Sequence, residues 1–143
     1  MRIVLCSDYF YPKLGGVTTH IEELGKAMKK RGHEVFVITK KANFDDSRHG
    51  LNVIRIKTLF RTSKTIDIPY IDELEGVIKR LAPDVIHAHH AFSPLSLLSL
   101  SVGKRLGIKT ILTNHSIQFL YELEYLWKPS SYALFPYKQY IDN

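Results

Sequence analysis

The chain has 143 residues, 45% of them hydrophobic and 24% charged, an ordinary globular composition that supports one buried core and one domain. No apolar run reaches the ~18 residues that cross a bilayer and the N-terminus lacks the pattern of a secretion signal, so a cytoplasmic protein, or one held peripherally at the inner membrane face, is expected. Twenty Lys and Arg against fourteen Asp and Glu give a formal charge of +6, which favours anionic surfaces without naming one, and the single cysteine excludes an internal disulfide.

Ile3 to Cys6 is a short apolar run that predicts a buried strand, with Cys6 a small interior side chain rather than a nucleophile. The aromatic loop Ser7-Asp8-Tyr9-Phe10-Tyr11-Pro12 follows, and long loops at strand ends carry binding residues. It runs through Gly15-Gly16-Val17 into a helix with Val17, Ile21, Leu24, Ala27 and Met28 on one stripe, Glu22, Glu23, Lys26, Lys29 and Lys30 on the other face, and Gly32 at its end. Adjacent glycines let a ligand come close to the main chain. The first helical turn behind them has amide N–H groups without helical partners, so this end suits a phosphate or diphosphate. The pair is not the G-x-G-x-x-G fingerprint, because only two glycines are present and they lie well beyond the strand.

Val35 to Ile38 predicts a second strand, parallel to the first through a right-handed crossover. Lys40 to Gly50 is polar, with turn chemistry at Asp45-Asp46-Ser47, and Leu51 to Ile56 predicts a shorter, edge-like third strand. Lys57 to Ile68 shows no convincing period and reads as a mobile surface loop bearing Arg61 and Lys64. Pro69 suits the first turn of a helix in which Ile71, Leu74, Val77, Ile78 and Leu81 recur at helical spacing, stopped by Pro83. Asp84 to Ala88 predicts the fourth strand. Ser93-Pro94 reads as the N-cap and first position of a helix over Leu95 to Leu106, with leucines around much of its circumference and Gly107 at its end. Ile108 to Thr113 predicts the fifth strand, and the aromatic stretch Ile117 to Trp127 a further helix before an aperiodic tail. The scattered basic residues, Arg55 and Lys57 among them, read for the most part as solvated helix ends.

Alternating strands and helices with near-continuous apolar strands predict an α/β fold, an open parallel sheet with helices on both faces. With strand order 3-2-1-4-5, ligands bind outside the carboxyl ends of the strands, in the crevice between strands one and four. The loops Gly15-Gly16, His89-His90-Ala91-Phe92 and Asn114-His115-Ser116 meet there. His87 reads as a hydrogen-bonded core residue, whereas His89 and His115 sit at strand ends facing the crevice. Two histidines at i and i+2 on a strand share a face, as zinc ligands can, but no Cys, Asp or Glu stands beside them, and no metal is expected. Paired glycosidase carboxylates, a Ser or Cys nucleophile motif and a Walker-type loop are absent from the sequence.

Ser7 to Pro12, Gly15-Gly16-Val17, His20, Leu24 and Arg31-Gly32-His33-Glu34-Val35, with Asp84-Val85-Ile86-His87-Ala88-His89 and Thr113-Asn114-His115-Ser116 further on, together resemble the N-terminal domain of the family 4 retaining glycosyltransferases. The likeness is strongest to the branch of phosphatidylinositol N-acetylglucosaminyltransferase catalytic subunits. This resemblance implies a GT-B enzyme of two Rossmann-like domains facing a cleft, with the acceptor mostly on the N-terminal one. It implies that Gly15 and Gly16 approach the donor diphosphate and that His115 is the active-site histidine. Tyr9 and Ser116 would lie by the acceptor, with His20 and His89 lining or supporting the cleft. The transfer would retain anomeric configuration and need no cofactor or metal, moving a sugar from a nucleotide diphosphate sugar such as UDP-N-acetylglucosamine to a hydroxyl, as on a lipid like phosphatidylinositol. The chain stops at Asn143, before the nucleotide-sugar domain, so residues 1–143 read as the acceptor-side domain, inactive alone and completed by that missing C-terminal domain.

A second reading of the same residues is a noncatalytic module that binds a phosphorylated ligand or a partner protein. Nucleic acid has only the net charge behind it and is not an expected partner, whereas an anionic membrane surface is.

Overall fold

The computed structural model of the chain describes residues 1–62, 66–91 and 93–115, without the side chains of 60–62 and 66–67. The elements run β1 (Arg2–Cys6), α1 (Gly16–Lys30), β2 (Glu34–Lys40), β3 (Asn52–Ile56), β4 (Thr58–Thr62), β5 (Ile66–Pro69), α2 (Ile71–Leu81), β6 (Val85–His89), α3 (Pro94–Arg105) and β7 (Lys109–Thr113), with a 3-10 turn at Asp46–His49. Five strands form one parallel sheet in the order β3-β2-β1-β6-β7. This is the predicted order, with its reversal between β1 and β6.

The period-two alternation of β1 divides the core. Ile3 and Leu5 pack with Val35, Val37 and Leu51 beneath Ile21 of α1. Val4 and Cys6 point the other way, into Ile38, Ile86, Leu74 and Ile78 of α2, and Leu95 and Val102 of α3. Among the described residues the sheet is therefore covered on both faces, with α1 on one side and α2 and α3 on the other. Cys6 is fully buried, and burial pushes its thiol up to about 12, which removes it as a nucleophile.

Three local expectations need correction. The stretch from Lys57 to Ile68, expected as a loop, contains strand instead: β4 and β5 pair antiparallel as a separate two-stranded sheet. Thr58, Leu59, Phe60, Thr62, Ile66 and Ile68 are strand formers in runs too short to display a period. Pro69 ends β5 instead of opening a helix, a position where a missing N–H costs the ladder little. Helix α2 begins at Ile71 with Tyr70 at its N-cap, and closes through Ala82 in the left-handed region at φ 43°. Helix α3 buries a face of small residues, Ser96, Ser99, Val102 and Gly103 beside Leu95, while Leu97, Leu98 and Leu100 are only half-buried.

That small face lets α3 approach the sheet closely. A Cβ at Gly103 would stand 2.6 Å from Thr110 Cγ2 and 2.9 Å from Ile86 Cδ1, so Gly103→Val is expected to cost about 2 kcal/mol through overpacking. At Gly76 of α2 the nearest atom to a Cβ is an Arg80 guanidinium nitrogen at 3.7 Å. Gly76→Ala is expected to add roughly 0.5–1 kcal/mol from backbone entropy and helix propensity. Urea unfolding of both variants checks the opposite signs.

Candidate active site

The β1–α1 connection reaches its helix through Gly15, the N-cap, whose backbone is extended at φ 166°. Its carbonyl accepts from Thr19 N at 3.1 Å, and Thr18 Oγ1 donates to Lys13 O at 2.7 Å, pinning the loop to the helix. No side chain caps α1 and no acidic residue occupies its first turn, so the positive end of the helix dipole is left uncompensated. A Cβ on Gly15 or Gly16 would meet nothing within 4 Å. Neither internal packing nor a left-handed backbone demands glycine here. Among the described residues the pair leaves the main chain open to close approach.

One helical turn beyond Gly16, about 6 Å along the axis, exposed His20 meets two histidines from the far side of the crevice. Its ring centroid lies 4.9 Å from that of His115, just past β7, and 5.6 Å from that of His89, the last residue of β6. His89 Nδ1 and His115 Nε2 stand 3.1 Å apart, one donating and the other accepting. The loops after β1, β6 and β7 thus converge as the strand order predicts, and the glycine pair and His115 occupy the same end of the sheet. The grouping that forms is His20, His89 and His115, whose ligating atoms all lie within 4.8 Å of one another. It is not the His87–His89–His90 run along the strand. His87 does share a face with His89, at 4.2 Å between ring centroids, and is hydrogen-bonded to Thr113 Oγ1 at 2.7 Å as expected, but it is half-buried and not part of the core.

Burial, then the neighbouring histidines His87, His115 and His20, pushes the His89 imidazole down to about 3. Burial and His20 lower that of His115, burial with His20 and His115 that of His87, and burial with His115 and Lys13 that of His90. His87, His89, His90 and His115 are thereby held toward the neutral form, whose ring nitrogens hydrogen-bond without carrying charge.

Tyr9 stands at the adjoining position, edge-on to His90 at 5.0 Å with Lys13 Nζ 4.3 Å from its ring centre. Ser116 and Phe92, and the aromatic stretch from Ile117 to Trp127, lie outside the described residues.

Two residues with structural claims on the site carry little signal in the sequence. Asp8 is buried, and its Oδ2 accepts from Ser93 Oγ and from Leu95 N at 3.1 Å, while Asp8 N donates to Ser93 Oγ at 3.3 Å. It caps α3 from across the sheet. Arg55, contrary to the reading of scattered bases as solvated helix ends, is largely buried. Its guanidinium holds Asp46 with two bonds of 2.7 Å, and also donates to Lys40 O and Tyr11 O at 3.0 and 2.8 Å. Tyr11 in turn stacks on His49 at 3.8 Å and donates to Glu22 at 2.5 Å. Hydrogen bonds from Lys26 and Tyr11 hold the Glu22 carboxyl down at about 2. Of the aromatic loop, Phe10 and Tyr11 pack toward His49, whereas Tyr9 packs against His90.

The chain is 31% identical over 123 residues to a subunit of the phosphatidylinositol N-acetylglucosaminyltransferase of Homo sapiens, covering 81% of this chain and 25% of that protein. It is 32% identical over 124 residues to the like-named protein of Arabidopsis thaliana, covering 82% of this chain and 28% of that one. To the alpha-monoglucosyldiacylglycerol synthase of Acholeplasma laidlawii it is 30% identical over 120 residues, covering 81% and 30%. The chain therefore spans between a quarter and a third of the length of these relatives. Residues 14–142 match the family model described as Glycosyltransferase Family 4, and the chain belongs to that family.

Proposed function

We propose that this chain is the acceptor-side domain of a retaining glycosyltransferase, which moves a sugar from a nucleotide diphosphate carrier to a lipid hydroxyl and is completed by a C-terminal donor domain. The observation that carries the reading is the uncapped, glycine-opened N-terminus of α1 one turn from His20, His89 and His115, at the sheet end where parallel folds bind ligands. Amides at Gly15 and Gly16 receive the donor diphosphate and offset the charge that grows on it as the glycosidic bond breaks. Neutral His115 contacts the transferred sugar, steadied by His89. Tyr9, His20 and Ser116 border the acceptor.

A lipid acceptor is supported by the names of the relatives, which pair a sugar with phosphatidylinositol in one case and with diacylglycerol in the other. Within that class we favour UDP-N-acetylglucosamine as donor and phosphatidylinositol as acceptor. No described helix is long and apolar enough to cross a membrane. The net charge of +6 and the exposed Leu14 beside Lys13 and Gly15 suit peripheral contact with an anionic surface.

The test is transfer of radiolabel by the full-length protein. UDP-N-acetylglucosamine with phosphatidylinositol vesicles is compared with UDP-glucose and diacylglycerol vesicles. Label in the lipid extract of the first mixture supports the full reading, label in the second alone reassigns the substrates, and none in either removes the activity. Gly16→Val, which meets no internal neighbour, is expected to weaken donor binding by about tenfold or more with unchanged thermal unfolding. Wild-type donor affinity in that variant would take the diphosphate away from this loop.

A further inference from the structure

Beyond the transfer reaction, we propose that His20, His89 and His115 form a binding site for a divalent transition metal of the zinc class. Three imidazoles from three separate elements bring their ligating atoms within 4.8 Å of one another. Two of these rings have nitrogens, His89 Nδ1 and His115 Nε2, at 3.1 Å. Zinc–imidazole bonds of 2.0–2.1 Å at a tetrahedral angle put two ligand nitrogens about 3.3 Å apart, so this pair already stands near coordination spacing.

The protein itself leaves the pair incompletely served. His89 is fully buried, and its Nε2 has no hydrogen-bond partner among the described residues. Its other nitrogen is satisfied only by a second imidazole, an arrangement in which one ring must give up its lone pair to hold a proton. A cation at the junction lets both rings present lone pairs, and neutral imidazole is the form that binds metal. His20, exposed on α1, is the ligand free to change rotamer and close the third bond. Three histidines leave the fourth tetrahedral position open to solvent or to an anionic ligand, and among the described residues no carboxylate or thiolate joins the cluster. The donor set therefore fits zinc, cobalt, nickel or copper and not magnesium or calcium. A metal held there engages the ring nitrogen that His115 needs for sugar, so ion and substrate compete for the same imidazole.

The native full-length protein, stripped with chelator and dialysed, is titrated with cobalt(II) chloride and then with zinc chloride. One cobalt per chain with the intense visible absorption of four-coordinate cobalt, bleached by zinc, is expected. His20→Gln and His115→Gln are each expected to weaken that binding by about tenfold or more, with circular dichroism unchanged, while His33→Gln on the far side of the chain leaves it intact. Absence of stoichiometric binding, the faint bands of octahedral cobalt, or equal effects of His33→Gln and His20→Gln would overturn the site. Since the readout is metal binding and not turnover, it stands or falls independently of the transfer activity.

Discussion

His115→Ala in the full-length enzyme is expected to lower kcat by roughly two to three orders of magnitude, the usual effect of deleting one positioned polar group in a transition-state site. Under the proposed assignment, in which the glycine loop and not the imidazole receives the diphosphate, the KM for the nucleotide-sugar is expected to change little. Partial exposure of His115 makes this truncation tolerable to the fold. The same cannot be said of His89, whose ring lies under it at 3.1 Å between nitrogens. His115→Gln, which keeps a hydrogen-bonding group but not the ring, is expected to recover part of the loss. Steady-state kinetics at saturating acceptor decide the matter: wild-type kcat in His115→Ala removes the residue from the chemistry, and a change confined to KM reassigns it to ground-state binding.

Acid is expected to destabilise the domain through the same cluster. Burial holds His89 at about 3 in the folded protein against 6.5 when free, so between these two pH values the unfolded chain carries a proton that the native one does not. Stability then rises with pH across that window: the contribution is complete above about 6.5 and is lost progressively as pH falls toward 3. One such group contributes a slope of at most about 1.4 kcal/mol per pH unit. His87, His90 and His115, lowered in the same direction, add to it. Urea unfolding of the wild type and of His89→Gln, measured from pH 7.5 down to about 4 in chelator-containing buffer, isolates the His89 share. The wild type is expected to lose stability more steeply, by about 1 kcal/mol per pH unit, with no change in the difference between the proteins above pH 7. Parallel pH profiles would mean that His89 titrates normally.

Strand order and the meeting of three loops were legible because parallel pairing, crossover handedness and the switch point follow from the apolar runs at Ile3, Val35, Val85 and Ile108 with helices between them. His89 and His115 stand at strand ends and Gly15–Gly16 at the helix end of the β1–α1 connection, so topology brings their loops together. The approach of His20 depends on how α1 lies across the sheet, set by Ile21 and by Gly25, which lets Leu51 pack where a side chain would stand. No spacing along the chain encodes that angle. The β4–β5 pair escaped notice because five- and four-residue strands are too short for periodicity. Arg55 did so because its four hydrogen bonds go to the side chain of Asp46 and the carbonyls of Lys40 and Tyr11, partners set by folding. The leucines of α3 misled for a related reason: composition says how apolar a helix is, whereas contact with the sheet selects the side able to come nearest, here serine and glycine.

The Asp8 clamp has a mechanical corollary. One carboxylate fastens the end of β1 to the start of α3, and Ser96 Oγ, a turn further on, donates to His89 O at 2.6 Å. Two of the three walls of the crevice, the ends of β1 and β6, are thereby both fastened to the start of α3. If the proposed donor domain closes over the crevice, this domain is expected to serve as the anvil and not the hammer of that closure.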